Sequence, residues 1–208
     1  MKKIISFLFI ILVFEGCSST AFLHKQQTTV TYSDRLPGRI GLYIPDNIKN
    51  NLLECSSSGS SCGAYSFNIE LGSTLSEAIR SGVETACNEV VILDAMPNSS
   101  TLKSSQLKFA IVPRLTNANG DVSFSTGFFK TPVKGTFQAS ITFSLMDANG
   151  KTFYSFSSNG SGFENASVGS CSGAADVVGK AAETAIQQIA DNIAQTLNSS
   201  KQIQDAVK

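Results

Sequence analysis

Phe137, Ala139, Ile141, Phe143 and Leu145 occupy every second position, and Gln138, Ser140, Thr142 and Ser144 between them are all polar. Successive side chains of a strand point to opposite faces, so this period of two demands a strand with one buried and one polar side. Leu107, Phe109 and Ile111 repeat the pattern up to Pro113. Tyr65, Phe67, Ile69 and Leu71 alternate with Ser66, Asn68 and Glu70 in the same way. Asn119-Gly120 and Asn149-Gly150 are dipeptides favoured by tight hairpin turns, with Val122 and Phe124 or Phe153 to Ser157 as the returning strands. Together these segments predict an antiparallel meander with one wet face.

Two segments carry a helical period instead. Thr74, followed three residues later by Glu77, has the form of a capping box. Leu75, Ile79, Val83 and Ala86 then recur on one side, as do Val178, Ala182, Ala185, Ile189, Ile193 and Leu197 further on. Val90 to Leu93 reads as the end of the first helix or as a strand. Arg39 to Ile44 reads as a short strand closed by Pro45. The polar stretches 46–63, 97–105 and 160–173 read as loops. The expected fold class is α+β, an antiparallel sheet with two amphipathic helices packed on one face. The other face, rich in Ser, Thr and Gln, is left to water or to a partner.

The first twenty residues follow a different logic. Lys2 and Lys3 precede an apolar run from Ile4 to Phe14, interrupted only by Ser6, and the run stops at Gly16-Cys17. A basic start, a short apolar stretch and a small residue make the signal peptide of an exported chain. The run is too short to span a bilayer, which takes about 20 apolar residues. Gly16-Cys17 resembles the lipobox of bacterial lipoproteins, although Phe14 and Glu15 stand where that motif has Leu and a small residue. The resemblance implies that Cys17 is lipidated, with acyl chains such as palmitate, and becomes the mature N-terminus. Ser18 occupies the sorting position, where an aspartate would imply inner-membrane retention, so the resemblance implies an outer-membrane anchor facing the periplasm. Each acyl chain contributes about 0.8 kcal/mol per buried CH₂, and more than one makes the anchoring stable. Ordinary secretion is the alternative, because Ser19-Thr20-Ala21 is an acceptable cleavage site that would leave a soluble chain starting at Phe22.

The expected organisation is a signal peptide (1–16), a lipidated N-terminus and flexible tether (17–36), one domain (37–198) and a C-terminal tail (199–208). The tether is inferred from the Ser, Thr and Gln content ahead of Pro37-Gly38. Removing Lys2, Lys3 and Glu15 from the 16 basic and 16 acidic residues leaves 14 and 15, a formal charge of −1. A near-neutral chain lacks the electrostatic footprint of a nucleic-acid binder.

Beyond Cys17 there are four cysteines, Cys55, Cys62, Cys87 and Cys171. An even number in an oxidising compartment argues for two disulfides. Of the three connectivities, Cys55–Cys62, closing a Ser- and Gly-rich loop, and Cys87–Cys171, tying the end of one helix to the entrance of the other, are favoured. The cysteines lack paired C-x-x-C spacing and the one histidine, His24, falls in the tether, so no metal site is expected.

Chemistry is sparse. His24 on a tether offers no base for a Ser or Cys nucleophile. Glu77 and Glu84 share a helix face but read as solvated positions, and Asp121 and Asp147 read as turn residues. The segments Ser158-Asn159-Gly160-Ser161-Gly162 and Gly169-Ser170-Cys171-Ser172-Gly173 lack the lysine and glycine spacing of phosphate loops. Phe128 and Phe129 are adjacent, so a regular strand would expose one of them as a candidate partner contact, unless a bulge near Gly127 lets both pack. No cofactor is expected.

A lipobox-like start followed by a small α+β domain resembles, in architecture over residues 39–198, the outer-membrane assembly lipoproteins of lipopolysaccharide assembly and of curli and exopolysaccharide export. The likeness has no diagnostic motif and transfers no functional residue. It implies a non-enzymatic scaffold or assembly subunit, held at the membrane by its lipid, with an envelope protein as partner. A glycan- or peptidoglycan-binding module, suggested by the polar sheet face, is the second reading. An enzyme is the third.

Overall fold

The computed structural model describes residues 18–59, 62, 65–127 and 130–208. The strands are β1 (Ser18–Phe22), β2 (Leu36–Leu42), β3 (Leu52–Ser58), β4 (Ser66–Glu70), β5 (Cys87–Ile92), β6 (Phe109–Phe124), β7 (Thr131–Met146) and β8 (Thr152–Val168). The helices are α1 (Asp46–Lys49), α2 (Gly72–Ala86), α3 (Ser99–Ser104), α4 (Ala174–Ser199) and α5 (Lys201–Ala206). The eight strands of the described residues join one sheet, in which β8, β7 and β6 are antiparallel neighbours. The other side of β6 is shared between two arms. Ile40 to Leu42 of β2 pair with Phe109 to Ile111, and Ser56 to Ser58 of β3 pair with Asp121 to Ser123. Beyond them lie β5 on one arm and β4 then β1 on the other.

The sheet is therefore mixed, not the antiparallel sheet expected. The meander over β6–β8 is antiparallel, but the β1–β4, β2–β5, β2–β6 and β3–β6 pairs are parallel. Parallel neighbours need crossover connections. The helix α2 provides one, since it leaves β4 and delivers the chain to β5 beside β2.

The long helix α4 lies across β7 and β8. Val178, Ala182, Ala185, Ile189, Ile193 and Leu197, the stripe read from the sequence, are all fully buried there. Phe137, Ile141, Phe143 and Leu145 come up from β7 to meet them, and Phe143 stacks on Phe156 at 4.8 Å between ring centres. Helix α2 packs on α4 rather than broadly on the sheet. Gly82 sets how closely they approach, since a β-carbon there would fall 2.7 Å from the Ala190 carbonyl oxygen. On the opposite face α3 covers a second, smaller cluster of Leu93, Leu102, Leu107 and Ala110, so that face is not uniformly wet.

Several local expectations are corrected. Asn119-Gly120 makes no turn. Both residues lie inside β6, opposite Gln138 and Phe137. Glycine is needed there for another reason, since a β-carbon on Gly120 would come within 2.5 Å of the Cys55 sulfur of the neighbouring β3. Residues 160–168 of the stretch expected as a loop form the second half of β8, and only 169–173 lie between that strand and α4. The α4 backbone passes directly over that half of β8, and a β-carbon on Gly160 or Gly162 would collide with the carbonyl of Ala185 or Ala181. Thr74 does not open a helix, because α2 begins at Gly72 and Thr74 is buried within it. The stretch 46–63 contains α1 and β3, and 97–105 contains α3, which is capped by the Asn98 side chain accepting from the Thr101 amide at 3.0 Å. The tail is ordered as α5, with Ile203 and Val207 buried. Val90 and its neighbours form β5, and Asn149-Gly150 does turn the chain, with Gly150 at φ +77°.

Candidate functional site

The segment following Cys17 is part of the fold, contrary to the tether expected over 17–36. From Ser18 the chain is already strand, since Ser18 pairs with Ser66 and Phe22 with Glu70. Ala21 is buried, and it and Leu23 lie against Gly179 of α4. Downstream, carboxylates of the two long helices collect the segment's polar groups. The His24 amide donates to Glu183 Oε1 at 2.7 Å, and the His24 ring nitrogen Nδ1 lies 2.7 Å from the same oxygen. Lys25 Nζ reaches Glu77 at 3.1 Å, and the Thr28 amide donates to Ser81 Oγ at 3.1 Å. Asp191 accepts from the Thr28 hydroxyl at 2.7 Å, from the Thr29 amide at 2.7 Å and from the Thr29 hydroxyl at 2.9 Å. Partial burial tends to raise the pKa of this carboxyl. The Thr28 and Thr29 donors outweigh that and hold it below the usual carboxylate range.

Topology places the start of β1 at one end of the molecule. Because β1 runs parallel to β4 and β3 antiparallel to it, Ser18, Ser66 and the end of β3 lie together. Ser58 in turn pairs with Ser123, Phe124 with Val133, and Thr131 with Val168. The same end thus holds residues 125–127 and 130, the end of β8 and the entrance of α4. The Ser19 hydroxyl donates to the Ser172 carbonyl at 3.2 Å. A disulfide between Cys62 and Cys171, 109 residues apart in sequence, closes this end beside it.

That bond corrects both expected pairings. Cys62 joins Cys171, while Cys55 and Cys87 are free thiols buried in the core. Cys55 lies in β3, not in a loop, beneath Gly120, where its side chain serves packing. Burial pushes the Cys55 thiol up to about 12, helped by the charges of Asp121 and Glu54. Burial also pushes Cys87 up to about 12, against the opposing effect of Arg35. Such thiols are poor nucleophiles.

Glu77 and Glu84 do line one polar groove of about 490 Å³, with Gln27, Arg35, Arg80, Ser81 and Thr85. Each is engaged by a cation, Glu77 by Lys25 and Glu84 by Arg80 at 2.6 Å, so the pair is not laid out as an acid and a base. Asp147 does work as a turn residue. The amides of Lys151 and Asn149 donate to its carboxylate and hold it below the usual range. Asp121 is a strand residue of β6. Cys17, Phe128 and Phe129 lie outside the described residues. Among the described residues no three His, Cys, Asp or Glu side chains gather where they could hold a metal ion. No helix among them is long and apolar enough to cross a membrane.

Sequence reasoning missed Ser81, Glu183 and Asp191, the residues that dock the N-terminal segment. Glu183, Gln187 and Asp191 recur every four residues on α4, so a polar stripe beside the apolar one was visible, but its occupant was not.

The sequence matches no family model and no curated protein. Among solved structures, the chain is similar to a Xanthomonas campestris protein of the family DUF330, with 9% identity over 85% of this chain and 92% of that one, at a TM-score of 0.47. It is similar to a homologue of the neuraminyllactose-binding hemagglutinin from Helicobacter pylori, with 11% identity over 89% and 95% of the two chains and a TM-score of 0.44. PelC from Paraburkholderia phytofirmans, solved as a dodecamer, has 15% identity over 78% and 95% of the two chains, with a TM-score of 0.30.

Proposed function

We propose that this chain is a non-enzymatic lipoprotein of the outer membrane, acting in the periplasm as a scaffold or assembly subunit of an envelope complex. The observation that carries this reading is the N-terminal pattern. Lys2-Lys3, the apolar run to Phe14 and Gly16-Cys17 together form an export signal ending at a cysteine that can be acylated. Two features of the domain support it. The one histidine sits at the surface against Glu183 instead of beside a nucleophile. The 17-residue strand β8 pairs only with β7 among the described strands, and apart from the Phe153 and Asn159 carbonyls and the Ser161 amide, which Gln202, Asn192 and Gln188 cap, its edge offers backbone groups to a partner. The lipid would hold the domain at the membrane, and the partner would be recognised through such an edge.

Glycan binding stands second. The polar face of β7 and β8 carries Ser140, Thr142, Ser157 and Asn159, but these pair with one another, Ser140 with Asn159 at 2.6 Å and Thr142 with Ser157 at 3.1 Å. The chain also has no Trp for sugar stacking. Cross-linking in intact cells followed by mass spectrometry tests the proposal. A stoichiometric envelope protein is the expected result, and recovery of glycan without protein would overturn the scaffold reading.

A further inference from the structure

We infer that the end of the domain bearing Ser18, the Cys62–Cys171 disulfide and residues 125–127 and 130 lies directly against the lipid bilayer, in contact with its headgroups. This rests on acylation of Cys17, as proposed above. The argument concerns reach. An acylated cysteine fixes its own backbone at the membrane surface, and a tether of some twenty extended residues would let a domain wander up to about 65 Å away. There is no such tether, because Ser18 is already the first paired residue of β1, joined to Ser66. Consecutive Cα atoms are about 3.8 Å apart, so Ser18 is held within one residue's reach of the anchor.

The register then carries the neighbouring strand ends to the same level, as do the disulfide and the Ser19–Ser172 hydrogen bond. The chemistry of that end suits a headgroup layer. Ser125, Thr126 and Lys130 are exposed there and offer hydroxyls and an ammonium to phosphate oxygens, while the hydroxyls of Ser19, Ser170 and Ser172 are engaged within the domain. From there β7 runs 16 residues outward to the turn at Asn149-Gly150. At about 3.4 Å per residue that turn stands roughly 50 Å along the strand from the membrane. The long strands therefore project the β8 edge away from the lipid.

The chain contains no Trp, so one introduced indole is a clean reporter. Acylated full-length Thr126→Trp and Asn149→Trp would be purified from membranes, checked by intact mass, and placed in phosphatidylethanolamine–phosphatidylglycerol vesicles whose acyl chains are brominated near the headgroup. Position 126 should lose most of its emission and position 149 none. A third variant, Thr126→Trp with a twelve-residue Gly-Ser insert between Cys17 and Ser18, should stay vesicle-bound while position 126 regains its emission. Equal emission at both positions in acylated, vesicle-bound protein overturns the inference alone. Retained quenching despite the insert would still support the contact, while assigning it to the headgroup-facing residues instead of the direct joint. An unacylated protein that fails to bind vesicles overturns this inference together with the anchor on which it rests.

Discussion

Asp191 fastens the N-terminal segment with three donated hydrogen bonds from Thr28 and Thr29. Hydrogen bonds to a charged acceptor contribute about 1.5–3 kcal/mol each at most, and partial exposure reduces this, so Asp191→Ala should lower stability by about 1–2 kcal/mol. Its folded pKa is depressed, so the contribution is present above the unfolded carboxyl value of about 3.9 and disappears as pH falls through the lower folded value. Denaturant curves of the two proteins should differ at pH 7 and converge in strong acid. Amides 24–30 should exchange faster in the variant, and a segment that behaves as a free tether would show no change. The thiols give the opposite sign. Cys55 and Cys87 are raised to about 12 when folded, whereas unfolded thiols ionise near about 8.5. Stability should hold below that value and fall as pH rises towards about 12, less steeply in Cys87→Ala. In the native protein both thiols should resist thiol reagents, and both should react after unfolding without reduction.

At the scale of elements, the contact between α4 and β8 depends on two missing side chains. Gly160→Val would drive a branched side chain into the Ala185 carbonyl, and overpacking of this kind costs about 1–3 kcal/mol or more. Thermal unfolding should show a clear loss, while Gly169→Val, where nothing lies near the β-carbon, should be close to neutral. The same glycines explain what could be read from the sequence. The α4 stripe and the alternation in β7 were legible because each element presents one whole face to the core, which imposes its period on the sequence. Asn119-Gly120 and the run from Gly160 misled because glycine serves two needs, turning a chain and letting backbone or sulfur approach closely. Only the first leaves a local signature, whereas the second depends on a partner far along the chain. The N-terminal segment was illegible for a related reason. Its Ser, Thr and Gln are ordinary tether residues until Glu183, Ser81 and Asp191 stand opposite them. The Cys62–Cys171 pairing likewise depends on the arms of the sheet bringing β4 beside the entrance of α4.

As a whole, the molecule has a polarity that neither composition nor net charge discloses. One end gathers the start of β1, the entrance of α4 and the disulfide. The other carries the Asn149-Gly150 turn and α5, and the edge strand β8 runs between them. Under the proposed processing at Cys17 this arrangement makes the anchor decisive, because whatever held position 17 would also orient the strands that follow it. The intact mass of the protein extracted from membranes tests that most directly. A mature chain beginning at Cys17 and carrying acyl chains is expected. An unmodified chain beginning at Phe22 would contradict the account, since cleavage there would remove most of β1 along with the anchor.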